Sequence, residues 1–133
     1  MSDPTSKQSL VLEQLLRELP HALVLEPEQL LTLMVDKSGH TSAGPPLCVV
    51  EALSIEDVVK VVTIASQHQM PLVTRGAGSG LAGGAIGGPG EIVLSLAKMN
   101  AILEISASDR WAVVQAGVIN HDLNEAAKKQ GLW

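Results

Sequence analysis

The chain has 133 residues, of which 46% are hydrophobic and 17% charged, a size and balance typical of one globular domain or part of one. A formal net charge of −5 and a pI near 5.2 exclude a strongly basic surface for nucleic acid or anionic lipid. Because Phe and Tyr are absent, the core is expected to be aliphatic, and stacking of single-stranded nucleic acid is not expected.

Residues 1–45 are predicted to form a helical extension followed by a linker. A helix is expected between Asp3, which can cap its start, and Pro20, which ends it. Its apolar stripe consists of Leu12, Leu15, Leu16 and Leu19. A second short helical pattern covers residues 27–34. Residues 36–46 are rich in turn formers and have no apolar period, so they are predicted to be a linker or an entry loop.

A strand, a helix and a second strand are predicted next. The apolar run at residues 47–50 indicates a buried strand, and residues 54–68 indicate a helix capped by Ser54 with Asp57 three positions later. The predicted inner stripe of this helix is Val58, Val59, Val62 and Ala65. Residues 72–74 form the second strand. Since a helix connects the two strands, they are expected to be parallel.

After a glycine-rich segment, the pattern returns to regular structure. Residues 92–96 indicate a strand buried on both faces, and residues 102–105 and 111–115 indicate a hairpin joined by a polar turn. Asn120 is the expected N-cap of a last helix and Gly131 its C-cap. Together these elements predict an α+β fold class, in which helices cover a small mixed sheet.

The glycine-rich segment at residues 76–90, hereafter the glycine loop, contains eight of the chain's twelve glycines. Glycine loses much entropy when it is ordered, so such density indicates left-handed backbone conformations or a close approach of the backbone to a ligand. Successive exposed backbone N–H groups in such a turn can bind an anion. The loop directly follows a predicted strand and is therefore a candidate site for a diphosphate.

Two better-known phosphate loops fit the sequence poorly. A P-loop requires Gly-Lys-Ser or Gly-Lys-Thr, which the sequence lacks. Residues 78–83 match the Gly-x-Gly-x-x-Gly fingerprint of a Rossmann fold, but the glycines and proline at 84–90 prevent a helix from starting there. The acidic residue expected about twenty positions later is also missing, because Lys98 and Asn100 occupy that region. A Rossmann site is therefore disfavoured.

The residues from Pro71 to Ala85, PLVTRGAGSGLAGGA, closely resemble the FAD loop of the flavin-binding subunit of glycolate oxidase and of bacterial D-lactate dehydrogenases. These share the p-cresol methylhydroxylase (PCMH) and vanillyl-alcohol oxidase type of FAD domain. Residues 46–62 resemble the family's opening strand and helix, and residues 92–133 resemble its next strands and helix. The resemblance implies that residues 46–133 are the first part of a two-subdomain PCMH-type FAD-binding domain, truncated at its C-terminus.

The resemblance also implies a cofactor site. Backbone N–H groups that hold the FAD diphosphate come from Gly76, Ala77, Gly78, Ser79, Gly80 and Leu81. Gly83 and Gly84 let the chain pass close to the cofactor. Arg75 adds positive charge or, as an equal alternative, caps the strand end or pairs with a carboxylate. Ser79 stands where some relatives carry a histidine bonded to the flavin, so the FAD is expected to be non-covalent.

The activity implied by the resemblance is that of an oxidoreductase in which a 2-hydroxy acid such as glycolate or D-lactate gives a hydride to FAD. The expected partners are FAD, a small 2-hydroxy-acid substrate in the full-length enzyme, and further oxidase subunits or an electron acceptor. No catalytic base can be assigned, and the chain alone is expected to be inactive. A catalytically inactive interaction fragment and a stand-alone nucleotide-binding module stay open as alternatives.

Other sites and a membrane location are disfavoured. The four histidines are scattered without metal-ligand spacing, and no serine has the surroundings of a hydrolase nucleophile. No signal peptide and no run of the ~18 apolar residues that a membrane span requires is visible. The single Cys48 lies in an apolar run and has no internal disulfide partner. A cytoplasmic location is therefore expected.

Overall fold

The computed structural model describes residues 4–132, so the predicted cap Asp3 and the terminal Trp133 lie outside the described residues. Four helices and six strands are present in this range. In chain order they are α1 (Pro4–Glu18), β1 (Leu23–Val24), α2 (Pro27–Thr32), β2 (Cys48–Glu51), α3 (Ile55–Gln67), β3 (Leu72–Arg75), β4 (Ile92–Ser95), β5 (Ile102–Ser106), β6 (Trp111–Val114) and α4 (Asn120–Lys128). The predicted α+β class is confirmed.

The main sheet is mixed and has the strand order β1-β2-β4-β3. Strands β2 and β3 both run parallel to β4, which lies between them, so their predicted parallel orientation is confirmed. All four residues of β4 are buried, as the sequence predicted. Strand β1 adds to β2 in the antiparallel direction. It is only two residues long, too short for the alternation of apolar and polar residues that would have predicted it.

The core lies on both faces of this sheet. On one face, α1 and α3 pack over β2 and β4 in a single cluster of aliphatic side chains. On the other face, Leu30 of α2 packs with Val49 and Val93. Helix α1 and strand β1 therefore share the core of the residues that follow. The division of the chain at residue 45 stays a prediction, since packing alone does not define a domain boundary.

The predicted apolar stripes of two helices need correction. In α1, Val11 and Leu15 are fully buried, as is Leu19 directly after the helix, whereas Leu16 is 59% exposed. In α3, Val61 and Ile64 are buried, whereas Val59 and Val62 face solvent. Both helices carry apolar residues around most of their circumference, so spacing alone leaves open which side faces the sheet.

Asp57 fixes the orientation of α3. Its backbone N–H donates to Ser54 Oγ at 3.2 Å, which confirms the predicted cap. Its carboxylate accepts bonds from the Leu53 amide at 3.0 Å and from His21 Nε2 at 3.1 Å. Burial on its own raises the pKa of Asp57, but these hydrogen bonds and the His21 ring bring the pKa below its ordinary value. The charged carboxylate is therefore the form that stabilises the fold.

We expect Asp57→Asn to lower the free energy of unfolding by about 1–2 kcal/mol at neutral pH, because a buried acceptor of two hydrogen bonds loses its charge. A lowered folded-state pKa gives stability that is present above the unfolded value, 3.8, and is lost as pH falls through the folded value. Urea unfolding from neutral pH into the acid range measures the difference. A difference that persists unchanged in acid contradicts the role of the charge.

Cys48, the first residue of β2, is fully buried in the core. Burial raises the pKa of its thiol to about 12. Because the thiolate is the reactive form of cysteine, Cys48 is an inert core residue in the folded protein. The sequence-based interpretation of Cys48 as a small buried hydrophobe is confirmed.

The C-terminal part forms the predicted hairpin of β5 and β6, beside which α4 encloses an apolar groove of about 370 Å³. Asn120 is the first residue of α4 and Ile119 its N-cap, so the predicted cap is wrong by one position. The helix begins one residue early because the carbonyl of Ile119 already accepts bonds from the amides of Asp122 at 3.0 Å and Leu123 at 3.2 Å. The C-cap of α4 is Lys129, so the predicted cap Gly131 is wrong by two positions, although Gly131 has a positive φ of 74° shortly after the helix end.

Candidate functional site

The glycine loop lies at the carboxyl end of β3, an edge strand of the main sheet. It leaves the sheet after Arg75 and returns at Ile92, the first residue of β4. All of its residues are described, and no helix begins within it. The site therefore lacks the helix N-terminus of a Rossmann phosphate site, and any anion must be held by the loop backbone itself.

The backbone amides of the glycine loop are free over a long stretch. Within residues 4–132, no amide from Ala77 to Gly84 donates a hydrogen bond to another protein group. The amides that follow are used differently: Gly87 donates to Leu33 O at 2.9 Å and Gly88 to Glu91 Oε2 at 2.7 Å. Backbone donors without a protein partner either face water or bind a ligand. An unbroken run of them suits the oxygens of a diphosphate.

Two glycines set the path of this stretch. Gly78 and Gly83 have φ angles of 67° and 76°, in the left-handed region that side chains disfavour. A Cβ on Gly78 would collide with Arg75 Nη2 and lie 2.6 Å from Arg75 Cζ. The backbone at Gly78 thus passes directly over the guanidinium group, and only glycine fits this position without displacing it.

Arg75 is half-buried beneath the glycine loop. Its Nη1 donates to Val35 O at 2.9 Å and to Ala85 O at 2.7 Å. The sequence left two roles open for Arg75, namely added positive charge at the phosphate site, or a capped strand end or carboxylate pair. The hydrogen bonds of its Nη1 both go to main-chain carbonyl groups. They join two parts of the chain that are distant in sequence, one between α2 and β2 and one in the second half of the glycine loop.

Residues 33–42, hereafter the clasp, form a second wall of the site. The Lys37 amide donates to Gly80 O at 3.2 Å, and Val35 forms an isolated antiparallel bridge with Thr41. Asp36 Oδ1 accepts a bond from the Ser38 amide at 2.8 Å. The sequence pattern predicts only a linker or entry loop over most of these residues, and it does not indicate their contact with the glycine loop.

Asp36 lies at the junction of the clasp and the glycine loop. Its Oδ2 is buried, has no hydrogen-bond partner, and lies 4.0 Å from the position of a Cβ on Gly80. Hydrogen bonding by Ser38 holds the pKa of Asp36 below its ordinary value, against the effect of burial, with smaller contributions from the Ala85 backbone and then from the charge of Arg75. The carboxylate is thus negatively charged at neutral pH.

A cavity of about 330 Å³ opens between the clasp and the glycine loop. It is lined by residues of both segments, including His40, Ser42, Gly83 and Glu91. Leu81 lies outside this cavity and is 80% exposed. Of the predicted site residues, all of which the structure describes, only Gly83 lines this cavity, and the clasp adds a facing wall that the sequence did not indicate.

Metal binding and membrane spanning have no support in the described part of the chain. No group of three or more His, Cys, Asp or Glu side chains gathers there. Among residues 4–132, no helix has the length and apolar character needed to cross a bilayer. The glycine loop with its clasp is the candidate site that combines free donors, strained glycines and a cavity.

Solved structures define the fold. The 4-ethylphenol oxidase from Gulosibacter chungangensis matches with a TM-score of 0.79 at 24% identity, over 95% of this chain and 25% of that chain. p-Cresol methylhydroxylase matches with a TM-score of 0.74 at 22% identity, over 96% of this chain and 25% of that chain. The architecture is that of a PCMH-type FAD-binding domain, as predicted.

A family model described as an FAD binding domain matches residues 46–133, and the chain belongs to this family. D-lactate dehydrogenase of Anaerostipes hadrus is 40% identical over 65% of the chain, and glycolate oxidase subunit GlcD of Bacillus subtilis is 38% identical over 66%. D-2-hydroxyglutarate dehydrogenase of Stutzerimonas stutzeri is 40% identical over 68%. The chain spans only 18 to 20% of the length of these relatives. FAD is the cofactor, and the family is one of oxidoreductases.

Proposed function

We propose that this chain is the FAD-binding part of a flavin-dependent oxidoreductase that oxidises a 2-hydroxy acid of the glycolate or D-lactate type. The free amides from Ala77 to Gly84 carry this proposal, because they offer a diphosphate the donors that no protein group uses. The names of the three relatives support the substrate class, since lactate, glycolate and 2-hydroxyglutarate are all 2-hydroxy acids.

In this proposal the chain binds and orients the cofactor through its backbone. The N–H groups from Gly76 to Leu81 hold the two phosphates, while Gly83 and Gly84 leave room for the chain to approach the cofactor. When bound, FAD supplies the redox chemistry by accepting a hydride from the substrate. Proton transfer is assigned to no residue of this chain. A substrate and an electron acceptor or further subunits complete the proposed enzyme.

The bond to the cofactor is proposed to be non-covalent, because the glycine loop contains no histidine or cysteine. The free, buried Cys48 supports a reducing compartment, and the cytoplasm is the proposed location. The division between a helical extension at residues 1–45 and the FAD-binding part at 46–133 belongs to the same proposal.

Titration with FAD, FMN and riboflavin tests the proposed site. We expect saturable quenching of flavin fluorescence with FAD, and an affinity for FMN that is weaker by at least about tenfold, because FMN lacks the diphosphate. Denaturation of the loaded protein should release all of the flavin. Equal affinity for FAD and riboflavin would rule out the diphosphate site, and flavin colour retained on the denatured chain would rule out non-covalent binding.

A further inference from the structure

The chemistry of Arg75 differs from that of a phosphate-binding arginine. Such an arginine presents its planar fork of N–H donors to the anion. Here Nη1 is occupied by two main-chain carbonyl groups, Val35 O and Ala85 O, and Nη2 lies against the backbone of Gly78. The guanidinium is therefore directed into the protein, beneath the free amides, and it is surrounded by backbone on both sides.

The charge of Arg75 is also offset within the protein. The guanidinium charge contributes to the lowered pKa of Asp36, and one oxygen of that carboxylate is buried without a hydrogen-bond partner. The negative charge of Asp36 offsets part of the positive charge that Arg75 would present to a neighbouring anion site. The backbone amides of the glycine loop are left as the principal donors for a phosphate.

The hydrogen bonds of Arg75 also hold the clasp against the glycine loop. Two further bonds join it to the glycine loop, from the Lys37 amide to Gly80 O and from the Gly87 amide to Leu33 O. The bond from Arg75 to Val35 spans 40 positions in sequence. This bond holds the clasp at Val35, which lies between Leu33 and Lys37, the two residues held by main-chain bonds.

We propose that Arg75 is a positioning residue that fastens the clasp, residues 33–42, to the glycine loop, and that the clasp is a second wall of the cofactor site. Arg75 acts through the backbone it holds and does not itself bind the phosphates. The inference rests on the proposed diphosphate site, but its structural half, the fastening of the clasp, is independent of any ligand.

Arg75→Lys separates positioning from charge, because lysine keeps the charge but has no planar group that can bond both carbonyls and also lie against the backbone of Gly78. We expect FAD affinity to fall by about tenfold, and this loss to be the same at about 0.05 M and about 0.5 M salt, because it does not arise from charge. Arg17→Lys is the matched control: Arg17 is on α1, its side chain is 71% exposed, and affinity should not change.

Hydrogen exchange without FAD tests the fastening itself. In Arg75→Lys, the amides of Lys37 and Gly87 should exchange about tenfold faster, while the amides of β4 keep their protection. Asp36→Ala is a second variant that loosens the clasp from its own side, and it should accelerate exchange at the same two amides. If Arg75→Lys fails to fold, hydrogen exchange in Asp36→Ala still tests whether the clasp is fastened to the glycine loop.

Three outcomes would overturn the inference. The first is unchanged exchange at the amides of Lys37 and Gly87 in both variants. The second is wild-type FAD affinity in Arg75→Lys together with a loss of affinity in Arg75→Gln. The third is a loss of FAD affinity in Arg75→Lys that disappears at high salt. The last two would make Arg75 a direct ligand of the phosphates. If the wild-type chain binds no FAD, the proposed function fails, whereas the exchange measurement still decides whether Arg75 fastens the clasp.

Discussion

Gly78→Ala should reduce FAD affinity by at least about tenfold while the protein remains folded. An alanine at the positive φ of Gly78 costs about 1–2 kcal/mol of backbone strain. Its Cβ would also displace the Arg75 guanidinium, because it collides with Nη2. Since the colliding atoms are the end of a flexible side chain, the damage stays local. The loop changes shape, and the core of the sheet does not.

The matched control for this variant is Gly131→Ala. Gly131 has a similar φ of 74° and nothing within 4 Å of its Cβ position, and it follows α4 rather than the glycine loop. Its alanine variant should lose comparable stability and keep full FAD affinity. Fluorescence titration and thermal unfolding of both variants make the comparison. Equal FAD affinity in the two variants would show that the shape of the backbone at Gly78 does not matter for the cofactor.

The glycine loop could be predicted from sequence because its signal is local. The order of glycines after a strand, followed by residues that prevent a helix from starting, contains the information needed to disfavour a Rossmann site. The resemblance of the same residues to a known FAD loop then identified the cofactor. The strand before the loop and β4 after it were predicted by short apolar runs, and both are present.

The clasp could not be predicted, because its role arises from contacts between residues far apart in sequence. Asp36 and Ser38 lie in a segment without apolar period, and nothing in their order indicates that Arg75 bonds Val35. The predicted buried faces of α1 and α3 needed correction for a related reason. Apolar residues on several sides of a helix allow more than one inner face, and only packing against the sheet selects among them.

Gly117 links the hairpin to the end of β3 through backbone contacts alone. It is buried, and its amide donates to Met99 O at 2.9 Å. A Cβ at this position would collide with Leu96 O and lie 3.0 Å from Met99 O. The Leu96 amide in turn donates to Arg75 O at 2.9 Å, where the glycine loop begins. Displacement of Leu96 would therefore disturb both the core and the candidate site.

Gly117→Ala should consequently lower the free energy of unfolding by about 3 kcal/mol or more, because main-chain atoms cannot rotate away as a side chain can. Gly84→Ala is the control for stability, since Gly84 has no left-handed φ and nothing within 4 Å of its Cβ position. Urea unfolding midpoints give the two values. If Gly117→Ala unfolds at the same urea concentration as Gly84→Ala, the chain at Leu96 yields easily, and the hairpin is not rigidly joined to the strand that carries the glycine loop.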